Sequence, residues 1–581
     1  MNRRRFVSSL GLTGALAWLT TRTTFAQQTS GYSAAVPFLF DPSIAGLTDA
    51  DRAFLFQVDS AATAQYGASL YPQSVAAGDP RVNGVVLWTR LEPSLQGGSF
   101  PSLAAFQVAA DAAFSSVLLE GVATIDPNRD NTVKLPVSHA VLQPFTTYFY
   151  RFLHRGIVSR TGQFKTLPLE GTTLQQLRLG YVVCQDFGNG YYTAYQHLAS
   201  EDVDFVVHLG DYIYETIGAG FQQNPARVVP PFPSGSTTIP LDVNDYRHLY
   251  KTYRSDVNLQ AVHERFAMIQ LWDDHEFAND SHQDFHPDDN TAPNTADTPQ
   301  PGLRQAANQA WAEYSLADVV FDSAKDWESS VKVYRKISFG ALADLVITDE
   351  RLYRDGPPCG NQEYGQRYFT LGCPALLDSS RSMLGATQKD WFLRQITGSQ
   401  ATWKLWANEV MLMPLRLTAI YINLDQWDGY PAERRQILSA IHQAGVSNFV
   451  ALTGDLHTFL AGYLKTNFAN LLEPPMGVEL MVGSITSANF AEEISSAIDL
   501  PSRPVPAKEM GVPPNLLNPV IRAANPHIQY WDSSTHGYGI LTLTPEKLTC
   551  EFKAVTTIQA PDASLVPLKT FIVEAGKARF V

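Results

Sequence analysis

Two apolar runs far apart in the chain end in Gly-Asp. Residues 203–209 lead into Gly210-Asp211-Tyr212-Ile213-Tyr214-Glu215, and residues 448–453 lead into Gly454-Asp455-Leu456-His457. A buried strand that ends this way carries one carboxylate to the carboxyl edge of its sheet, where open α/β sheets bind ligands. Tyr214 can return its phenol to the same spot, and His457 adds an imidazole. Three further apolar runs end in donor atoms: 177–184 in Cys184 followed by Gln185-Asp186, 268–272 in Asp273-Asp274-His275-Glu276, and 403–407 in Asn408. One Gly-Asp is ordinary turn chemistry. Five strand ends offering oxygen, nitrogen or sulfur read as one metal centre gathered from distant sequence.

Each residue also has a plainer role. A Cys in an apolar strand is usually an inert thiol, so Cys184 counts only because of where it sits. Cys550, in the run 548–552, reads as a packed residue. His208 lies inside its strand and reads as a core histidine. His442 lies on a charged helix and reads as solvated. His282 and His286 fall in an acidic loop. Tyr212 packs, whereas Tyr214 faces the metal. The Asp-Asp-His-Glu run would suit a helix N-terminus, but Asp274 and His275 are assigned to the site.

The elements that must position these residues form an α/β region. Strands are expected at 177–184, 205–210, 268–272, 343–347, 403–406 and 449–453. Helices are expected at 191–200, 245–266, 304–314, 388–396 and 432–444. Such alternation points to helices layered on sheet. Residues 479–486 and 539–555 extend the sheets, and 218–242 and 284–302 are long surface loops. In front, 71–167 holds short strands separated by turn residues, which reads as an immunoglobulin- or fibronectin-like β-sandwich domain. Residues 27–70 form an irregular lead-in with a short helix at 49–57, and 172–581 form the catalytic domain.

The chain has 581 residues, 45% hydrophobic and 17% charged, which allows more than one domain. Asn2-Arg3-Arg4-Arg5-Phe6 has the form of a twin-arginine export signal, followed by a short apolar stretch and a small-residue cleavage site at 24–26. Residues 1–26 therefore read as a signal peptide, and the mature protein as periplasmic or secreted, with the twin-arginine machinery as a partner during export and no stable membrane span. Net charge is -14, and the signal carries four arginines and no acid, so the mature chain is more acidic still. That excludes nucleic-acid binding as the main role. Cys359 and Cys373 bracket a polar loop and could pair in an oxidising compartment.

The motif set resembles the PhoD-like alkaline phosphatases, a branch of the calcineurin-type metallophosphoesterases. Matching pieces are Gly-Asp-Tyr-Ile-Tyr-Glu at 210–215, Tyr-Arg-Ser-Asp at 253–256, and Trp-Asp-Asp-His-Glu at 272–276. They continue with Asp-Glu-Arg-Leu-Tyr-Arg-Asp at 349–355, Trp-Asp-Gly-Tyr-Pro at 427–431, and Gly-Asp-Leu-His at 454–457. The resemblance runs from about residue 36 onward and implies a layered metallophosphoesterase sandwich behind the β domain. It implies a ferric ion (Fe3+) held by Cys184, Asp211, Tyr214 and His457, with Asp211 bridging. It implies calcium (Ca2+) at Asp274 and Asp455, with Asn408 a further candidate ligand; carboxylates suit calcium better than imidazole does.

Cations that acidify water and cancel phosphate charge would permit in-line attack by hydroxide. His275 would serve the leaving oxygen, and Arg351 or Arg354 could clamp phosphoryl oxygens or else stand as ordinary surface or ion-pair arginines. No Ser or Thr stands where a phosphorylated nucleophile would, so direct hydrolysis is expected. The chain ends at Phe580-Val581 after strand-like sequence, so no C-terminal lid is expected. The expected activity is hydrolysis of small phosphomonoesters and phosphodiesters. Two other readings remain open: a phospholipase-D-like diesterase on lipid headgroups, and a calcium-stabilised secreted binding protein without turnover.

Overall fold

The computed structural model describes residues 26–27, 38–40, 53–92, 102–219, 222, 224–287, 298–360, 364–492 and 517–581. Nearly all of the expected signal segment lies outside them, as do parts of the expected helix at 49–57 and of both long loops. The chain separates into two units: 1–169, 254–270 and 309–325 form the first, and 170–253, 271–308 and 326–581 the second.

The first unit is mostly β. Ser102–Ala109 lies between Val117–Ile125 and Thr147–His154, and Gly162–Lys165 pairs with the latter, all antiparallel. Gly84–Arg90 lies between Val75–Arg81 and Thr132–Ser138, and Ala267–Gln270 runs parallel to Val75–Arg81. Leu103, Ala105, Val122 and Leu153 close a core with Leu55 and Val158. The helix Ser60–Leu70 differs from the irregular lead-in expected there. Its apolar residues have almost no helical period, which hid it, but Asp59 caps it by accepting the Ala62 N–H at 2.9 Å.

The second unit is built around two large sheets, with two small ones, Phe285–His286 with Thr298–Pro299 and Ile420–Asn423 between Tyr368–Thr370 and Arg416–Leu417. In one large sheet, Leu177–Val182 runs parallel to Phe205–His208 and antiparallel to His536–Leu543, beyond which lie Lys547–Val555 and Leu565–Glu574. In the other large sheet, Ala343–Ile347, Trp403–Ala407, Phe449–Thr453 and Gly477–Met481 are parallel neighbours. Rings of the two sheets meet, Phe205 on Phe339 at 5.4 Å and Phe459 on Phe552 at 5.1 Å. The helices Gly385–Gly398 and Pro431–Gln443 cover the second sheet, setting Phe392, Ile396, Ile437 and Ile441 into one cluster with Trp406 and Phe449. The fold is thus mixed α/β with several sheets and helices.

The single helix expected at 245–266 is two, Val243–Tyr253 and Val257–Arg265. Asp256 starts the second by accepting the N–H groups of Asn258 and Leu259. An N-cap residue has non-helical backbone, so the helix must break before it. Strand 177–184 ends at Val182, and Cys184 lies past it in left-handed backbone (φ 55°).

Candidate metal centre

Four residues at the strand ends share an uncommon backbone: Cys184 and Asp211 at φ 55°, Asp455 at 64° and His457 at 51°. Left-handed backbone costs a non-glycine residue about 1 kcal/mol or more and persists where the surroundings over-determine it, often at functional sites. Gly210 shows the crowding. Its φ is 110°, and a Cβ there would meet the Asp273 backbone N at 2.8 Å. Glu276 ties the two loops together by accepting the N–H groups of Asp211 (3.0 Å), Tyr212 (2.7 Å) and Asp273 (2.8 Å).

The Tyr214 hydroxyl lies 3.0 Å from Asp211 Oδ2 and 3.1 Å from His457 Nε2. His457 Nδ1 lies 2.5 Å from the Ala488 carbonyl and donates to it, so the lone pair is on Nε2, facing the phenol. The Cys184 sulfur, an Asp211 oxygen and a His457 nitrogen lie within 4.8 Å of one another. Sulfur, oxygen and nitrogen ligand atoms from distant parts of the chain converge here, as they do around a cation. Without a cation, burial and then the charges of Asp211, Asp273 and Asp455 hold the Cys184 thiol well above its ordinary pKa. Burial and Asp211 do the same to Tyr214. Burial pushes Asp211 up to about 6, against the pull of His275.

Beside this group stand Asp273, Asp274 and Asp455, and then Asp274, Asp280 and Asp425, each trio within 4.8 Å. Asp274 belongs to both trios, and also to a group with Asp211 and His275. One guanidinium serves most of these acids. Arg351 donates from Nε to Asp273, from Nη1 to Asp425 at 2.5 Å and from Nη2 to Asp455 at 2.7 Å, and Nη2 stands 3.6 Å from Asp274. Burial raises Asp455 to about 7, Arg351 opposing it and Asp274 adding to it. The donor set is thus negative beyond what its arginine offsets, and it fits divalent or trivalent ions.

Of the two roles left open for Arg351 and Arg354, this structure displays the ion pair. Both are buried, and Arg354 donates to Asp425 Oδ1 at 2.6 Å and to the carbonyls of Asp280 and Asp425 at 2.9 Å. Both guanidinium groups are drawn to acids and carbonyls here; an acidic pocket takes buried arginines as counter-charge first. Asn408 is likewise committed. Its Nδ2 donates to Val410 O at 2.5 Å, and its Oδ1 accepts from Trp427 at 3.0 Å.

His275 lies with its ring 4.0 Å from that of Tyr214, and its Nδ1 is 2.6 Å from Glu215 Oε2. Burial alone would lower its pKa, but Glu215, Asp211 and Asp274 reverse this and hold it well above the usual range. His208 is a core histidine, fully buried, with its ring nitrogens 3.3 Å from Gln185 Oε1 and the Gly210 N–H. Tyr212 packs on Tyr250 at 6.2 Å.

Comparison with known proteins decides the family. The PhoD-like phosphatase family model matches residues 179–552, and the model of its N-terminal domain matches 57–168. The chain belongs to the PhoD-like phosphatase family. It is 29% identical over 539 residues to "Alkaline phosphatase D" of Bacillus subtilis (strain 168), covering 91% of this chain and 84% of that protein. It is also similar to the solved "Structure of PhoD", with a TM-score of 0.73 and 27% identity over 88% of this chain and 92% of that one. This PhoD-like phosphatase is a phosphoric ester hydrolase of a metal-dependent family. Among the described residues, no helix is long and apolar enough to cross a membrane.

Asp273, Asp280, Asp425 and Glu215 were not singled out from sequence. Asp273 and Glu215 sit inside quoted motifs, so a signal existed. Asp425 follows the largely apolar strand Ile420–Asn423 and was passed over, and the fold brings it to Arg351.

Proposed function

We propose that this PhoD-like phosphatase is an exported alkaline phosphatase that hydrolyses phosphomonoesters and phosphodiesters with Fe3+ and Ca2+ at the cluster just described. Cys184, Asp211, Tyr214 and His457 would hold the ferric ion, since thiolate, phenolate and carboxylate suit a trivalent metal. Asp274 and Asp455, joined by Asp273, would hold calcium; Asp211 belongs to one group with Cys184 and His457 and to another with Asp274 and His275. When bound, the cations would supply charge neutralisation and Lewis-acid polarisation at the phosphoryl group.

The protein's own residues do the rest. Glu276 fixes the loops that carry Asp211 and Asp273. The Ala488 carbonyl fixes the His457 tautomer. Arg351 holds the acids in place against their mutual repulsion. His275, oriented by Glu215, is placed to hand a proton to the departing alcohol oxygen. Export rests on the twin-arginine pattern at 3–6.

The observation that carries this reading is the convergence of the Tyr214 phenol with Asp211 and His457 Nε2 at 3.0–3.1 Å, beside Cys184. Elemental analysis and a visible spectrum of the purified protein test it, run beside p-nitrophenyl phosphate and its bis-ester. Iron, visible absorption lost in Tyr214→Phe, and hydrolysis of both esters are expected. A colourless, iron-free and fully active enzyme would remove the assignment.

A further inference from the structure

A cavity of about 290 Å³ lies in the second unit, where Pro431–Gln443 meets residues 466–471 and 524–527. Arg416, Arg434 and Arg435 line it, and among the described residues none of the lining side chains is acidic. That is unusual in a chain of net charge -14. Arg434 is buried and fixed, donating from Nη1 to Asp428 at 2.9 Å and to the Leu412 carbonyl at 3.1 Å. Arg416 donates from Nη2 to the Tyr421 hydroxyl at 2.8 Å and stacks over that ring at 4.2 Å. Its Nε is buried and has no hydrogen-bond partner. Arg435 is exposed, and among the described residues neither it nor Arg416 pairs with a carboxylate.

His527 reports the local field. Its Nε2 donates to the Pro414 carbonyl at 2.8 Å. Burial lowers its pKa to about 4, with Arg434, Lys465 and Arg416 adding to the effect against the pull of that carbonyl. The positive charge of the cavity therefore comes from guanidinium groups. Phe468, whose ring is 5.0 Å from that of His527, and Leu438 give it an apolar wall.

Arg416 and Arg435 pair with no carboxylate among the described residues, which leaves two guanidinium groups to attract an anion. Guanidinium forks match phosphoryl oxygens in geometry and charge. The volume is near the lower end for small-molecule pockets. We propose that this cavity is a second anion site, which binds a phosphoryl group through Arg416 and Arg435, with Arg434 as a fixed third charge. The phosphoryl group could be free phosphate or part of a small organic phosphate whose body rests on Phe468 and Leu438.

Calorimetric titration of the metal-loaded protein with inorganic phosphate, and separately with phenylphosphonate, counts the sites. Inhibition of p-nitrophenyl phosphate hydrolysis in the same samples reads the catalytic centre. Wild type is expected to bind two equivalents, and Arg416→Gln/Arg435→Gln one, with inhibition still present. Arg435→Gln alone changes one exposed side chain, and loss of its charge-assisted hydrogen bond should weaken the second equivalent roughly tenfold. A single equivalent in wild type, or unchanged binding in Arg435→Gln, overturns the proposal. Tighter binding of phenylphosphonate than of phosphate assigns the site to organic phosphates, and the reverse order to free phosphate; either order upholds the site.

Discussion

Glu479 and Asp211 are both buried acids in the second unit, yet they are served in opposite ways. Glu479 is fully buried and accepts the N–H groups of Leu412 (2.8 Å) and Met413 (2.7 Å) and the Thr453 hydroxyl (2.9 Å). Glu276 is served in the same way by three N–H groups. Asp211 instead accepts the Tyr214 hydroxyl (3.0 Å) and a long bond from the His275 backbone N–H (3.3 Å) and faces an imidazole nitrogen and a sulfur, while Asp273, Asp425 and Asp455 share Arg351. A hydrogen bond to a charged group contributes about 1.5–3 kcal/mol, so three can offset much of the several kcal/mol that burying a carboxylate costs. Burial alone therefore does not mark a ligand. What marks one is burial beside other side-chain ligand atoms, as Asp211 lies beside Cys184 and His457.

The largest test of this contrast is Asp211→Ala. Activity should fall by more than about 100-fold, the upper range for losing an outer-shell partner, with the melting transition kept. Full turnover in the variant would erase the distinction between the two kinds of acid. Next comes metal removal. Chelation should abolish activity and lower the melting temperature, because a cation that binds only the folded state is lost and the acids around Arg351 keep only its guanidinium against their repulsion. A melting temperature unchanged by chelation would count against a cation at those acids.

Glu479 should behave in the reverse sense, affecting stability and not turnover. Burial raises its pKa from an ordinary 4.5 to about 7, against the donors that favour its charged form. The folded state thus holds this proton more tightly than the unfolded chain. Its contribution is full below about 4.5 and is lost as pH rises through about 7. Denaturant unfolding at pH 5 and pH 8 should show wild type losing more stability than Glu479→Gln over that interval. Equal losses would refute the shift.

The smallest expected effect is at the rim. Cys359 and Cys373 are bonded and close a loop that carries Arg367 and Tyr368 to Asp280. The Asp280 N–H in turn donates to Asp274 at 2.5 Å. Tyr368→Phe should lower kcat up to about tenfold, the lower range for an outer partner, with KM nearly unchanged. A change in KM alone would place Tyr368 on the substrate instead.

Much of this was legible in residue order. The Gly-Asp ends at 210–211 and 454–455 follow apolar runs that can only be buried strands, and a strand delivers its last side chain to a sheet edge whatever the rest of the fold does. Local signals were weaker where periodicity failed, as in Ser60–Leu70, or where a cap interrupted it, as at Asp256. The split of one expected helix into two came from a single side chain competing for backbone N–H groups.

The chain by itself determined which donors exist and that several must lie at strand ends, because hydrophobic patterning and turn chemistry act over a few residues. Only the tertiary structure decided how those donors are shared. Arg351, open to either a phosphate clamp or an ion pair, becomes the counter-charge of distant acids, Glu215 becomes the partner of His275, and Asp425, just past the end of the strand Ile420–Asn423, comes to Arg351. Charge and hydrogen-bond pairing depend on distances of a few ångströms between residues tens to hundreds apart in sequence, and folding sets those distances.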